Sequence, residues 1–258
     1  MGDDPQPLDG RHAVVTGGYK GIGAAIAERL AAQGARVSIL ARDADAADAF
    51  AKTLPDAKAF ACDVTDEAAT AQAFAAARQA FGPVGVLIAN AGGTTAAAIA
   101  QESVEGFRRG LELNLIGVFA CLKESLPDMQ KAGWGRVVAV ASTAGLKAYP
   151  GVAAYVAAKH GVVGLVRAAA LETAGSGVTV NAVCPGYTET DLAAQAIEAL
   201  SAKGMSADEA REKLARTNPM RRLIKPREVA DAVGWLMGAD AGAITGQAIA
   251  VAGGEVMG

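Results

Sequence analysis

The chain has 258 residues, of which 52% are hydrophobic and 20% charged, so a sizeable core is expected and disorder is not. Its net charge of −3 argues against a nucleic-acid partner, because nucleic acids bind basic surfaces. No apolar run reaches the ~18 residues of a membrane span, and the acidic start MGDDPQPLDG is neither a signal peptide nor a lipidation site. These features predict a soluble, cytoplasmic protein.

The cysteines, Cys62, Cys121 and Cys184, lie far apart in the sequence. None belongs to a C-x-x-C pair, and no cluster of His, Cys, Asp and Glu has metal-ligand spacing. We therefore expect three reduced thiols and no metal.

Short apolar runs alternate along the chain with longer Ala-rich segments of helical character. Most of the short runs are continuously apolar, which is typical of strands buried on both faces of a parallel sheet. Strands that alternate with helices form a doubly wound α/β sheet, and no linker divides the chain, so we predict a single domain over 1–258. The seven predicted strands span 12–17, 36–41, 57–64, 84–91, 136–142, 178–186 and 247–254.

The stretch TGGYKGIG at 16–23 follows the first predicted strand and opens the first helix. In this position, glycines allow a tight turn and let backbone N–H groups approach a pyrophosphate at the helix N-terminus. The spacing, Gly17-x-x-x-Gly21-x-Gly23, differs from the usual G-x-G-x-x-G. A glycine-rich turn alone is weak evidence, since any tight β–α connection favours glycine. The strand–loop–helix context nevertheless indicates a dinucleotide site.

The second strand ends in ILARD at 39–43, where a dinucleotide-binding protein selects its cofactor. An NAD site usually places Asp or Glu at this tip to bind the ribose 2′-hydroxyl. Here the tip is Ala41, and Arg42 behind it suits a 2′-phosphate through charge-assisted bonds. Together with Lys20 in the glycine loop, this pattern favours NADP(H). NAD(H) stays possible, because a shift of one or two residues brings Asp43 to the ribose and leaves Arg42 as a solvated loop residue.

Tyr155 and Lys159 are four residues apart in YVAAK, so a helix places both on one face. A nearby cation favours the phenolate, and we expect Lys159 to lower the pKa of Tyr155 from its usual value of about 10. Tyr149 and Tyr187 lack a lysine at i+4, and His160 is rotated about 100° from this face. The pair therefore predicts a general acid/base at Tyr155.

Ser142 closes the fifth predicted strand, at the carboxyl edge where doubly wound sheets bind ligands. Two further motifs follow strands: NAG at 90–92 and CPGYTET at 184–190. Asn114 lies in LELNLIG, and Ser142 precedes Tyr155 by 13 residues. Together with the glycine loop, this pattern resembles the short-chain dehydrogenase/reductase family, in its branch of single-domain enzymes of about this length, over nearly the whole chain.

The resemblance implies a Rossmann-type fold and an oxidoreductase whose catalytic residues are Asn114, Ser142, Tyr155 and Lys159. Ser142 would bond the substrate oxygen, and Tyr155 would exchange a proton with it. Lys159 would also hold the nicotinamide ribose, and Asn114 would support a water in a proton relay. Without the resemblance, Asn114 is equally well interpreted as a helix residue that satisfies a backbone group.

The resemblance also implies a set of cofactor-binding residues, in which Asp63 faces the adenine. This set consists of Gly17, Tyr19, Lys20, Gly21, Ile22, Gly23, Arg42, Asp63, Val64, Asn90, Ala91, Gly92, Tyr155, Lys159, Pro185, Gly186 and Thr188.

The longest segment outside the strand pattern spans about 187–222, and SADEAREKLARTN within it has helical spacing. We expect a helical lid that closes over the substrate. A basic cluster at its end either contacts the phosphates of coenzyme A or an acyl carrier, or is a solvated helix entry, which is the commoner case. The cluster comprises Arg216, Arg221, Arg222, Lys225 and Arg227.

Three functional hypotheses follow. The favoured one is an NADP-dependent oxidoreductase that interconverts a ketone and a secondary alcohol. Its substrate would be a 3-oxoacyl or 3-hydroxyacyl thioester, because the overall pattern, with its ITGQAIAVAGG ending, is most similar to enzymes of those thioesters. The second is an NAD-dependent dehydrogenase of a hydroxy acid or another secondary alcohol. The third, a non-catalytic dinucleotide sensor, is disfavoured because a sensor has no need of an acid/base.

Members of the family are commonly homotetramers, built through the two long helices around the fifth strand and through the last strand. Small residues in the predicted Tyr155 helix either let a neighbouring helix approach closely or pack on the chain's own sheet. These residues are Ala153, Ala154, Ala157, Ala158 and Gly161.

Overall fold

The computed structural model describes residues 7–94 and 96–257; the prediction about the first six residues lies outside this range. Strands and helices alternate as expected. The strands are β1 (His12–Thr16), β2 (Arg36–Ala41), β3 (Ala57–Ala61), β4 (Val86–Ala89), β5 (Gly135–Val140), β6 (Val178–Pro185) and β7 (Ala248–Val251). The α-helices are α1 (Gly21–Ala31), α2 (Ala44–Ala51), α3 (Glu67–Phe81), α4 (Val104–Leu111), α5 (Gly117–Ala132), α6 (Ala153–Thr173), α7 (Asp191–Ser201), α8 (Ala207–Ala215) and α9 (Pro226–Leu236).

The strands form one sheet in the order β3-β2-β1-β4-β5-β6-β7. All neighbouring strands are parallel, which confirms the predicted doubly wound sheet. The chain runs outward from β1 to β3 and then returns to β4 on the other side of β1. The carboxyl ends of β1 and β4 therefore form the topological switch point, where such sheets bind ligands.

Two apolar cores cover the two faces of the sheet, and this explains why the strands are continuously apolar. On one face, Ile26 of α1, Ala47 of α2 and Val233 of α9 pack with alternate strand residues. On the other, Phe74 of α3 and Cys121 of α5 pack with the remaining strand residues and with α6. Helices thus lie on both faces, as predicted.

Several strands end earlier than predicted because polar side chains bend the backbone into turns. After β3, the Asp63 carboxylate accepts hydrogen bonds from Thr65 N at 3.0 Å and Thr65 Oγ1 at 2.8 Å. Ser142 lies two residues beyond β5, so the prediction that it closes the strand was wrong. It caps a 3₁₀ turn at Thr143–Gly145, and its Oγ accepts a hydrogen bond from Ala144 N at 3.1 Å.

Side-chain caps begin α2, α3, α4 and α8, whereas α1, like α5, α6 and α7, begins without one. Asp43, Asp66 and Ser103 each accept a hydrogen bond from a backbone N–H three residues on, at the N-termini of α2, α3 and α4. The N-cap of α1, Lys20, makes no such bond, and the first turn of α1 carries no acidic residue. The first N–H groups of α1 therefore lack a side-chain partner.

Residues 187–222 lie outside the sheet and contain α7 and α8. Only the second of these helices was anticipated from its spacing. Ala193, Leu214 and Leu223 form a small apolar cluster there, against which Tyr187 and Ile197 pack. Among the described residues, no helix is long and apolar enough to cross a membrane.

Candidate active site

Most of the predicted site residues lie at or beside the carboxyl edge of β1, β4, β5 and β6, four strands that are adjacent in the sheet, and Arg42, Asp63 and Val64 follow the neighbouring β2 and β3. Thr16 at the end of β1 organises this edge. Its Oγ1 accepts hydrogen bonds from the N–H groups of both Asn90 and Ala91, each at 2.9 Å. In return, Asn90 Nδ2 donates to Thr16 O at 2.9 Å and to Gly17 O at 3.2 Å. The NAG motif is thereby fastened to the glycine loop.

The glycine loop is packed so tightly that two of its glycines are required sterically. Gly17 has φ +63°, a conformation that L side chains rarely adopt. A Cβ on Gly23 would lie 2.2 Å from Gly17 O and 2.5 Å from Asn90 Nδ2. The loop leads directly to the uncapped N-terminus of α1. This combination fits the pyrophosphate of a dinucleotide, because uncapped N–H groups and the helix dipole both favour an anion there.

The tip of β2 is arranged as a basic rather than an acidic site. Ala41 is buried, whereas the Arg42 side chain is exposed beyond it. The Asp43 carboxylate accepts a hydrogen bond from Ala46 N at 3.1 Å and so caps α2. The pKa of Asp63 lies below its usual value, chiefly because its carboxylate accepts the N–H of Thr65, with a smaller contribution from the charge of Arg42. The Arg42 guanidinium and the Asp63 carboxylate are therefore close enough to interact beyond the carboxyl ends of β2 and β3.

Lys20, the second predicted basic contact, has an acidic partner in this structure. Its Nζ lies 2.9 Å from Asp191 Oδ2, and both side chains are exposed. The hydrogen bond to Asp191 raises the pKa of Lys20. Asp191 is the first residue of α7, so the ion pair joins the glycine loop to the 187–222 segment. Thr190 lies against the same loop, since a Cβ on Gly21 would approach its Cγ2 to 3.1 Å.

Tyr155 and Lys159 lie on one face of α6, as their spacing predicts. Lys159 is only 3% exposed. Its Nζ donates a hydrogen bond to Val140 O at 2.8 Å and lies 5.6 Å from the centroid of the Tyr155 ring. Burial lowers the pKa of Lys159 to about 8, because the charged form loses its hydration.

The pKa of Tyr155 moves in the direction opposite to the one expected from the sequence. Burial raises it, and the main opposing contribution comes from the nearby Ser142 hydroxyl. The prediction that Lys159 lowers this pKa was wrong for the structure described here. Lys159 directs its ammonium group to Val140 O, and its own charge is disfavoured by burial. The hydroxyl of Tyr155 is therefore protonated at neutral pH and is a proton donor.

Asn114 is buried, at 1% exposure, in a single turn of π-helix at Glu112–Ile116. Its Oδ1 accepts from Gly93 N at 3.1 Å, and its Nδ2 donates to Gly93 O at 2.8 Å and to Gly110 O at 3.0 Å. The side chain thus satisfies backbone groups. A Cβ on Gly92 would lie 2.8 Å from Asn114 Oδ1 and 3.7 Å from Lys159 Nζ, so the NAG motif passes between these two side chains.

The CPGYTET segment leaves β6 and crosses the same edge. Pro185 ends the strand, and Thr188 Oγ1 donates a hydrogen bond to Gly186 O at 2.9 Å. Thr188 is buried and pairs with Ile224 in an isolated β-bridge. Because Thr190 contacts the glycine loop, this segment reaches from the end of β6 to the loop that follows β1. The remaining predicted cofactor residues, Tyr19, Ile22 and Val64, lie in the glycine loop, at the start of α1 and after β3.

Other polar candidates have structural partners. His160 is exposed, and His12 is buried between Gly82 O and Ser38 Oγ, each at 2.8 Å. The three cysteines are free and buried, and no group of potential metal ligands occurs in the described part of the chain.

Most of the basic cluster at the end of the 187–222 segment is neutralised by acidic side chains, which supports its interpretation as a solvated helix entry. Ion pairs join Arg216 to Glu212, Arg222 to Glu228 and Arg227 to Asp231.

Sequence reasoning missed Glu255, whose side chain is fully buried. Its Oε1 accepts a hydrogen bond from Tyr149 OH at 2.5 Å and lies 3.0 Å from Lys147 Nζ. No sequence motif points to this residue; the only signal is that a charged residue follows directly after the Gly253–Gly254 pair.

Known proteins share this arrangement of sequence and fold. A family model described as short chain dehydrogenase matches residues 11–201. The chain belongs to this family. A putative ketoacyl reductase of Streptomyces coelicolor is 40% identical over 253 residues, which cover 95% of this chain and 97% of that relative. The 3-oxoacyl-[acyl-carrier-protein] reductase MabA of Mycobacterium tuberculosis is 35% identical over 252 residues, covering 98% and 95%.

The same short-chain dehydrogenase fold is found in a crystal structure of a tryptophan variant of the actinorhodin polyketide ketoreductase with NADPH. The TM-score is 0.91 at 40% identity, over 94% of this chain and 96% of that chain. This likeness confirms the Rossmann-type fold. As a short-chain dehydrogenase the protein is an enzyme of the oxidoreductase class, as the resemblance of its motifs implied.

Proposed function

We propose that this short-chain dehydrogenase uses NADP(H) to interconvert a ketone and a secondary alcohol, and that its substrate is a 3-oxoacyl or 3-hydroxyacyl thioester of coenzyme A or an acyl carrier protein. The observation that carries the proposal is that the Ser142 hydroxyl lies close enough to Tyr155 to oppose the rise of its pKa, beside the buried Lys159. These three groups lie at the sheet edge where the uncapped α1 suits a dinucleotide.

The catalytic roles follow from the ionisation of these groups. Ser142 and Tyr155 together hold the substrate oxygen by hydrogen bonds. Tyr155 is protonated at neutral pH because burial raises its pKa, so it donates its phenolic proton to that oxygen in the direction of reduction. Lys159, with a pKa of about 8, changes charge near physiological pH and is suited to pass on a proton. When bound, a nicotinamide supplies or accepts the hydride.

Preference for NADP(H) is proposed from the tip of β2. Arg42 is exposed there, and the Asp43 carboxylate accepts the N–H of Ala46 at the start of α2, so one of its oxygens is already used in capping that helix. A guanidinium suits a 2′-phosphate through charge-assisted bonds. Lys20 adds a second contact if it leaves Asp191. The actinorhodin ketoreductase with NADPH, similar over nearly its full length, supports this choice.

The thioester substrate is proposed from the relatives, two of which are named as ketoacyl or 3-oxoacyl-[acyl-carrier-protein] reductases. In this proposal, residues 187–222 are the lid, with α7 and α8 covering the substrate and Lys20–Asp191 fastening its first residues to the glycine loop. The roles of Asn114 and of the predicted cofactor residues, a homotetrameric assembly and a cytoplasmic location are also proposed, from the resemblance to the family.

The proposal is tested by mixing the protein with NADPH or NADH and acetoacetyl-CoA and following the loss of reduced-nicotinamide absorbance. We expect oxidation of NADPH in preference to NADH. Tyr155→Phe should lower kcat by about 10²–10⁴-fold, because it removes the acid/base.

Binding of NADPH by Tyr155→Phe, followed by fluorescence, is the control for folding. Preference for NADH would contradict the role of Arg42. Turnover of simple ketones but not of acetoacetyl-CoA would overturn the thioester substrate, and an unchanged kcat in Tyr155→Phe would overturn the acid/base assignment.

A further inference from the structure

A chain of hydrogen bonds links the C-terminal segment to the catalytic serine. Tyr149 OH donates to Glu255 Oε1 at 2.5 Å, because a carboxylate only accepts. Thr143 Oγ1 lies 2.6 Å from Tyr149 OH, and since the tyrosine proton is already used, the threonine is the donor. Thr143 directly follows Ser142 in the chain. Two consecutive side-chain hydrogen bonds thus connect the Glu255 carboxylate to Thr143, the residue that follows Ser142.

The turn that carries Ser142 and Thr143 is held from two sides. On one side it packs against α6, since a Cβ on Gly145 would lie 2.7 Å from Lys159 O. On the other side, Tyr149 closes the turn through Thr143 and Glu255. The position of Ser142 relative to α6, and hence to Tyr155, therefore depends on both supports.

Glu255 is placed at this point by an unusual backbone. Gly253 has φ +60° and Gly254 has φ +85°, two consecutive residues in a region that favours glycine. Gly253 packs against the side chain of Asn218, and its N-terminal neighbour Ala252 lies beside Gly186 of the segment after β6. The turn sends the Glu255 side chain inward, where it is fully buried.

The carboxylate is retained at an energetic cost. Its Oε1 is bonded to Tyr149 and Lys147, but Oε2 is buried and has no hydrogen-bond partner. A buried polar group left unpaired destabilises the folded state, because its lost hydration is not replaced. Oε2 lies close to Gly186, 2.9 Å from the position of a Cβ there. An apolar side chain would fill this space without leaving a buried polar atom unpaired. The presence of a carboxylate therefore indicates a role in the site beyond packing.

We propose that Glu255 is a positioning residue for the reaction, which holds Ser142 in hydrogen-bonding reach of Tyr155 by way of Tyr149 and Thr143. The inference rests on the proposed function only where it is tested by enzyme kinetics, because measuring kcat requires a substrate that the enzyme reduces. Glu255 itself does not touch the reacting atoms in this proposal.

The test compares Glu255→Leu, Glu255→Gln, Tyr149→Phe and the double variant Tyr149→Phe/Glu255→Leu, with NADPH and acetoacetyl-CoA. Glu255→Leu and Tyr149→Phe should each lower kcat by about tenfold, as expected for loss of one buried hydrogen bond, with KM changed far less. Glu255→Gln keeps a carbonyl acceptor for Tyr149 and should restore most of kcat. The double variant should be no slower than either single variant, because both changes break the same chain.

A second readout needs no turnover. The ultraviolet absorbance of the phenolate is titrated in each variant, with and without Tyr155→Phe, so that the difference reports the ionisation of Tyr155. Because the nearby Ser142 hydroxyl lowers the pKa of Tyr155, displacement of Ser142 in Glu255→Leu or Tyr149→Phe should shift this ionisation to higher pH.

Unchanged kcat together with an unchanged Tyr155 titration in both single variants would overturn the proposal. Losses that multiply in the double variant would also overturn it, since Glu255 would then act by a route other than Tyr149. If the unmodified enzyme reduces no ketone, the proposed function fails, and the titration alone decides the role of Glu255.

Discussion

At the residue scale, burial sets the ionisation of the Tyr155–Lys159 pair. Tyr155 and Lys159 share a helix face, as the i, i+4 rule requires, and Lys159 is buried beside the tyrosine ring. The direction of the pKa of Tyr155 was not predictable, because burial outweighs a cation that is directed to Val140 O. Similarly, only the structure shows that Asp43 is the N-cap of α2.

The buried Lys159 makes stability depend on pH in a defined direction. Its pKa is about 8 in the folded protein against 10.5 as its ordinary value. Between these values the unfolded chain binds more protons, so the free energy of unfolding rises with pH. We expect it to rise by about 3 kcal/mol from pH 8 to pH 10.5, relative to Lys159→Met. Urea unfolding of both proteins across this range measures the difference, and a constant difference would contradict the lowered pKa.

At the element scale, the β1–loop–α1 unit was the best predicted part of the site. Its glycines are recognisable from their spacing in the sequence, and the structure shows why glycine is needed at Gly17, for its positive φ, and at Gly23, for its close contacts. Gly23 cannot carry a side chain because Gly17 O occupies the position of its Cβ. The end of β5 was less predictable, since the short turn after it depends on Tyr149 and Glu255, which lie 106 residues apart.

Gly23→Ala should damage this unit severely. Its Cβ would meet backbone at 2.2 Å, so the loop must move, and we expect a loss of about 1–3 kcal/mol of stability together with a large loss of NADPH affinity. Gly175→Ala is the matched control, because a Cβ there has no neighbour within 4 Å. It should change stability by no more than about 0.5 kcal/mol. Thermal unfolding and fluorescence titration with NADPH compare the two, and equal behaviour would refute the steric requirement.

At the scale of the whole molecule, the small residues of α6 divide between the interior and the surface. Ala154 and Ala158 are buried within the chain, and a Cβ on Gly161 would lie 2.8 Å from Leu115 Cδ2. Ala157 is exposed. Larger apolar side chains are exposed as well. Phe119 of α5 is 51% exposed, and Leu171 of α6 is 84% exposed.

The proposed tetramer is therefore expected to depend on these exposed side chains. Phe119→Ser should reduce the mass in solution from four chains to two or one, because it removes apolar area from the proposed interface on α5. Light scattering coupled to gel filtration measures the mass. Ile99→Ser is the control, since Ile99 is 79% exposed but lies outside the helices around β5. A tetramer that survives Phe119→Ser would place the interface elsewhere.

The sheet, the glycine loop and the shared helix face of Tyr155 and Lys159 were predictable, because each is encoded by local periodicity or by a motif of neighbouring residues. Features that depend on residues far apart in the chain became visible only in the folded molecule. These features include the partners of Asn114 and Lys20 and the buried Glu255 beside the Ser142 turn. Local patterns specify which element forms, whereas burial and hydrogen bonding depend on which elements meet. The pKa of a buried group therefore follows only from the complete fold.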